Sequence, residues 1–241
     1  MATISNEELD RLFEEGVLSI FNEEPLLRGL INARVYVHVP VSDDSKHIRV
    51  AQFRHPDGYD AIPFFTTEQR SEKARSKYFK TFRMHCVDLF FGTAGATLVL
   101  NPNDGGLTLY PEEIRELMSG RTLGLAEKVS PFGESMDVRP AMTPPKALLD
   151  TLSSGAAAAP FIKEVYVLEK REANAPDSVT TLLVYLGAEA KHMERAARHM
   201  VLLIQKMSPR LEDVVDVAAF DAGEGRPDFL NEIEADPIYS A

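Results

Sequence analysis

The segment Thr97–Gly120, TLVLNPNDGGLTLYPEEIRELMSG, decides how the first half of the chain folds. Its opening, TLVL, is an apolar β-type run, and LTLY after Gly106 is a short alternating one. NPNDGG joins them. Proline fixes φ there, and Asn, Asp and Gly tolerate left-handed backbone, so the hexapeptide reads as a turn between two strands. Pro111 suits a first helical turn, Glu112 and Glu113 its positive end, and Gly120 its stop. The competing reading is a cation loop that starts at Asn101 and ends at Glu112. Its first position is neutral, Gly105 stands where a ligand is needed, and a strand precedes it, whereas calcium needs several carboxylates on a flexible loop. No Lys-Ser or Lys-Thr closes the stretch, so it is no phosphate loop. Each unusual side chain has a turn or capping task.

Working outward, Ser5 and Glu8 have capping-box spacing and open a helix striped by Leu9, Leu12, Phe13, Val17 and Ile20. Asn22 offers a second cap, before Leu26, Leu27, Leu30 and Ile31. RVYVHVPV from Arg34 reads as a strand with Val35, Val37 and Val39 on one face and Tyr36 and His38 on the other. HIRVAQF and YDAIPFFT read as a hairpin about Pro56-Asp57-Gly58. Thr66 and Gln69 repeat the cap spacing, which predicts a basic helix to about Phe82. Residues 121–143 lose all period and predict an irregular connector. Beyond it come helix, strand, strand, long helix (stripe Ala190, Met193, Ala197, Met200, Ile204, Met207) and a last strand, VVDVAAF. This order predicts an α+β class with two small domains, each a mainly antiparallel sheet with packed helices. The expected division is 1–125, a linker at 126–143, and 144–241 with an acidic tail. In that tail Phe229, Leu230, Ile233, Ile238 and Tyr239 are costly to leave in water, which predicts docking onto the same chain.

The chain has 241 residues, 44% of them hydrophobic and 26% charged, an ordinary globular balance. It lacks an apolar run of membrane-spanning length. The acidic N-terminus does not have the pattern of a secretory signal, and the single cysteine, Cys86, permits no internal disulfide, so the expected compartment is the cytoplasm. The formal net charge of −11 disfavours nucleic acid.

ARVYVHVPV, AIPFFTTEQR, LVLNPNDGGLTLYPEEIREL and the later KEVYVL, LLVYL, VVDVAAF and DPIY together resemble the SseB family, bacterial proteins named for enhanced serine sensitivity. The marks are Phe65-Thr66, Asn101-Pro102 and Pro111-Glu112-Glu113-Ile114, in that order and spacing. Thr67 stands where the pattern leads one to expect serine. The resemblance implies an N-terminal and a C-terminal SseB domain, a cytoplasmic location, a link to serine tolerance and a sulfurtransferase as a candidate partner. It supplies no catalytic residues.

The residues themselves supply none either. His192 and His199 lie two helical turns apart, too far to share one zinc. His85 and Cys86, read as strand neighbours, point to opposite faces, and Cys86 precedes an apolar run, which predicts an inert core thiol. Ser135 in GESMD lacks the second glycine of a nucleophile elbow. No metal and no cofactor is expected. One binding feature remains. On the predicted basic helix Arg70, Lys73, Lys77 and Lys80 form a continuous cationic face, while Ala74, Tyr78 and Phe82 form another stripe. That face suits an acidic protein partner or an anionic metabolite, and equally a solvated surface that balances the acidic termini. The expected function is a non-catalytic binding or adaptor protein. The alternative is an enzyme acting on an amino acid or sulfur metabolite, with polar groups drawn from His38, Tyr36, Asn101 and Arg75.

Overall fold

The structure is a computed structural model that describes residues 4–18, 23–42, 47–121, 136–172, 180–211 and 214–241. Ile20, Asn22 and Ser135 lie outside the described residues, as does most of the connector. Contacts divide the chain into two compact units, Met1–Leu125 and Ala126–Ala241.

The first unit begins with α1 (Asn6–Leu18) and α2 (Glu23–Ile31). Ser5 caps α1, its Oγ accepting from the Glu8 backbone N–H at 3.1 Å; the Glu8 carboxylate itself turns to Arg11. Then follow β1 (Arg34–Pro40), β2 (Phe53–Arg54), β3 (Asp60–Phe65), α3 (Glu68–Ala74), β4 (Phe79–His85), α4 (Cys86–Gly92), β5 (Thr97–Leu100), β6 (Leu107–Leu109) and α5 (Pro111–Met118). The sheet runs β4-β1-β3-β5-β6, with β2 also on β3. All pairs are antiparallel except β3 with β5. Alternation along β1 buries Val35, Val37 and Val39 on one face; Leu9, Phe13, Leu26, Leu30, Phe90, Leu98 and Leu100 are likewise buried in this unit. α3 packs against β1, β3 and β4.

The turn reading of the opening segment holds. Asn101 takes φ 46°, Gly105 φ 83° and Gly120 φ 76°, each left-handed, and Pro111 is the first residue of α5. The Glu113 carboxylate accepts from the Tyr110 backbone N–H at 2.9 Å, closing the start of that helix.

The second unit contains β7 (Met136–Pro140), α6 (Lys146–Ala157), β8 (Ile162–Glu172), β9 (Thr181–Ala188), a short 3-10 turn (Ala190–His192), α7 (Met193–Gln205), β10 (Val215–Asp221), α8 (Asp228–Glu232) and β11 (Tyr239–Ser240). Its sheet runs β10-β9-β8-β11, with β7 also on β8, and only β9 with β10 is parallel. One apolar cluster gathers Leu148 and Leu152 of α6, Ala196 and Met200 of α7, and Val165, Val184 and Leu186 of the sheet. A second gathers Tyr166, Leu183, Tyr185 and Phe220 with Leu230, Ala235 and Phe229 of the tail. Each unit is therefore a small α+β sandwich about a mainly antiparallel sheet.

Several local expectations change. The basic helix expected to reach Phe82 stops at Ala74, and its cap is Thr67, not Thr66: Thr67 Oγ1 accepts from the Arg70 N–H at 3.3 Å. From Phe79 the chain is a strand, paired residue for residue with β1 from Pro40↔Phe79 to Arg34↔His85. Tyr78, Phe79, Thr81 and Phe82 are β-formers, and pairing with a buried neighbour outweighs a cation spacing that happens to fit a helix. Cys86 starts a helix instead of continuing that strand. Inside the expected connector, Met136–Pro140 is a strand specified by its partner β8 rather than by its own period. Ala190 lies on the exposed 3-10 turn before α7. The acidic tail docks as expected: Leu230 is fully buried and Tyr239 pairs with Val165.

Candidate functional site

Two polar assemblies of the first unit draw on the basic segment, and they differ in kind. The first is closed. β3 and β5 run parallel and end side by side. There the Asn101 backbone N–H donates to the Phe64 carbonyl at 2.8 Å, the Thr66 N–H donates to Asn101 Oδ1 at 3.1 Å, and Asn101 Nδ2 donates to Thr66 Oγ1 at 3.0 Å. The Thr66 hydroxyl donates in turn to Asp10 of α1. Arg70 sits over this pair and meets Asp10 at 2.8 Å, Glu14 at 2.5 Å and Asp104 at 2.6 Å, with its guanidinium 5.4 Å from the Phe13 ring centroid. Its side chain is only 17% exposed. The three carboxylates push its pKa further above its ordinary value against the opposing effect of burial. This knot ties α1, α3 and the Asn101–Gly106 turn together. Three carboxylates surround its one cation, so Arg70 has no positive charge left for an anionic ligand.

The second assembly is open. Lys73 lies in the last turn of α3, Lys77 in the turn that follows and Lys80 on β4. All three are exposed, and among the described residues no carboxylate pairs with them. No Asp or Glu occurs between Glu72 and Asp88. Tyr78 is 68% exposed and Phe82 36%, large apolar surfaces beside those lysines. Arg75 is tied back to Glu72 at 2.8 Å and to the Phe79 carbonyl. Arg83 donates to Asn6 Oδ1 at 2.7 Å and lies over the Tyr36 ring. The four cations expected on one helical face are thus divided: Arg70 inside the closed knot, Lys73, Lys77 and Lys80 along the turn and strand that follow.

The other candidates are engaged elsewhere. His38 is buried, its Nε2 2.9 Å from the Ser71 carbonyl and its ring 4.9 Å from that of Phe65. With Tyr36 beside Arg83, Asn101 inside the knot and Arg75 on Glu72, the four side chains considered for an enzyme do not converge on one pocket. A groove of about 470 Å³ is lined by Arg54, His55, Asn103 and Thr108 with Phe53 and Val99, and it includes none of those four. Cys86 is fully buried, and burial pushes its thiol pKa well up, away from a reactive thiolate. The His192 ring lies tilted beside that of Phe161, 5.7 Å between centroids; burial, then Lys191 and Arg195, hold its pKa below the usual histidine value. Among the described residues no group of His, Cys, Asp and Glu is arranged to hold a metal, and no helix is long and apolar enough to cross a membrane.

Sequence reasoning missed the Asp10–Thr66–Arg70–Asp104 knot. A signal was present: Thr66 and Asn101 each follow a buried-looking strand and each carry a short polar side chain at the strand's end.

No curated protein and no solved structure matches the chain. The sequence model of the SseB protein N-terminal domain matches residues 22–116, which span the sheet of the first unit, the closed knot apart from Asp10 and Glu14, and the lysine-bearing segment. Thr66 and Asn101, two marks of that resemblance, are the residues that bond across the ends of β3 and β5, and Pro111 opens α5 as the pattern requires. The first unit carries an SseB N-terminal domain, and that match is what ties the chain to the SseB proteins.

Proposed function

We propose that this SseB-family protein acts by binding and makes or breaks no covalent bond. In this reading it is an adaptor of the bacterial cytoplasm, needs no cofactor, and takes an acidic protein partner on the segment Lys73–Arg83. The observation that carries the proposal is the set of three exposed lysines that no carboxylate of the described residues pairs with, next to exposed Tyr78 and Phe82, in a chain whose net charge is −11. Cations clustered in so acidic a chain attract an acidic surface at short range, within about a Debye length, and neighbouring aromatic side chains supply the desolvated contact that fixes it. A partner of protein kind is favoured over nucleic acid because the rest of the chain repels a long polyanion. A sulfurtransferase, the partner suggested by the family resemblance, qualifies if it presents an acidic face, and such a complex would connect the protein to serine tolerance.

The test is a pull-down from native lysate with the wild-type chain and with a Lys73→Glu, Lys77→Glu, Lys80→Glu variant, Arg70 being left intact because it belongs to the knot. At least one stoichiometric partner is expected with the wild type and absent with the variant. An identical partner set, with unchanged thermal unfolding, rejects the proposal.

A further inference from the structure

We infer that the acidic partner is held as an added β-strand on the outer edge of β4. The inference rests on the proposed acidic partner and specifies how it binds. β4 is the terminal strand of its sheet, with β1 on one side and no strand on the other among the described residues. Three backbone bonds fix which peptide groups face outward. The Val41 N–H donates to the Tyr78 carbonyl, the Cys86 N–H donates to the Ala33 carbonyl, and the Ala51 N–H donates to the His38 carbonyl on the far side of β1. Peptide groups alternate along an antiparallel strand, so Lys80, Phe82 and Met84 turn theirs toward β1, and Phe79, Thr81, Arg83 and His85 turn theirs away. The Phe79 carbonyl is taken by Arg75. Nothing described pairs with the outward N–H and C=O of Thr81 and Arg83.

Side chains alternate as well. Tyr78, Lys80 and Phe82 share one face, since Lys80 lies opposite Val39 and Phe82 opposite Val37; Thr81 and Arg83 share the other, opposite His38 and Tyr36. An antiparallel strand laid on this edge would therefore have an acid opposite Lys80, apolar residues opposite Tyr78 and Phe82, and a second acid opposite Arg83. Read along the partner, the pattern is Glu-Val-Thr-Glu-Thr-Val. A bare edge is also a route to self-association, and lysines on edges normally guard against it. Lys80 and Arg83 have that effect here, because a second copy of the chain on this edge would crowd like charges. An acidic strand reverses the sign and turns the guard into a selector.

The probe is a synthetic peptide, Glu-Val-Thr-Glu-Thr-Val with acetylated and amidated ends, titrated into the full-length protein by fluorescence anisotropy. One derivative is N-methylated at the first Glu and the first Thr, whose N–H groups face β4. A second is N-methylated at the first Val and the second Glu, whose N–H groups face away. Charge and side chains are identical in all three. The expected result is binding of the parent, a loss of about tenfold or more in affinity for the first derivative, and little change for the second. Lys80→Glu should abolish binding of all three. Equal affinity for the two derivatives, or for a scrambled peptide of the same composition, overturns strand addition and leaves the acidic-partner proposal standing. No binding of the parent overturns strand addition too; if the lysine variant also retains every lysate partner, both proposals fail together. Tighter binding of an oligouridylate of equal charge would assign the edge to single-stranded nucleic acid and overturn the inference.

Discussion

Replacing Arg70 with alanine leaves the half-buried Asp10 and Asp104 and the more exposed Glu14 without their shared cation, with the Thr66–Asn101 pair beneath them. Hydrogen bonds to a charged group and loss of a cation from a partly buried cluster both act in the same direction. Arg70→Ala should lower the free energy of unfolding by about 2–4 kcal/mol in urea titrations. Lys80→Ala, which removes an exposed cation with no carboxylate partner among the described residues, should change it by no more than about 0.5 kcal/mol. Two residues of the same charge, ten positions apart, thus separate into one that holds the fold and one that is free to bind. The sequence shows the cations but not this division. The partners of Arg70 come from α1 and from the turn after β5, distant in the chain, and no local period reports such a meeting.

At the scale of elements, legibility follows from whether an element is specified by itself or by its neighbour. β1, the Asn101–Gly106 turn and α5 carry their own signals in alternating valines, left-handed residues and a first-turn proline, and all three were legible. α3 was legible only at its start, and there to within one residue, its cap being Thr67 and not Thr66. Its end depends on β4 pairing with β1, and the run Lys73 to Lys80 satisfies helical spacing and strand alternation equally well until that partner is known. The same holds for β7, which is a strand because β8 lies beside it. Packing between α6 and α7 gives a prediction of this kind. A Cβ added at Gly155 would stand 2.1 Å from Leu203 Cδ1. Gly155→Ala should cost about 1–2 kcal/mol, since the clash outweighs the helix propensity that alanine contributes. In a double-mutant cycle with Leu203→Ala, most of that cost should disappear, as a coupling of about 1 kcal/mol in thermal or urea unfolding. Additive effects would mean that the two helices do not approach so closely there.

At the scale of the whole molecule, acidic segments serve different ends. α1 supplies Asp10 and Glu14 to the knot, and the C-terminal segment closes an apolar face of the second unit. Arg226 holds that segment by donating to the Leu230 carbonyl at 3.2 Å and to the Ala235 carbonyl, with its guanidinium 5.2 Å from the Tyr166 ring centroid. Ending the chain after Pro227 removes α8 and β11 and uncovers Tyr166, Tyr185 and Phe220. The loss of buried Leu230 and its neighbours should destabilise the second unit by on the order of 3–5 kcal/mol and raise binding of a hydrophobic dye. An unchanged melting profile for the truncated chain would show that the tail contributes nothing to that unit. With Asp10 and Glu14 of α1 committed to the knot, Lys73, Lys77 and Lys80, which no carboxylate of the described residues pairs with, stand out as charge available for binding.

Amide hydrogen exchange by NMR tests that account most directly, because it reads the edge of β4 residue by residue. In the free protein the N–H groups of Thr81 and Arg83 should exchange fast, while those of Lys80 and Phe82, bonded to β1, should be protected by at least about a hundredfold more. Addition of the acidic peptide should slow Thr81 and Arg83 and leave Lys80 and Phe82 as they were. Thr81 and Arg83 already protected in the free protein, or still fast when the peptide is saturating, would contradict the claim that this edge is open and is where the partner binds.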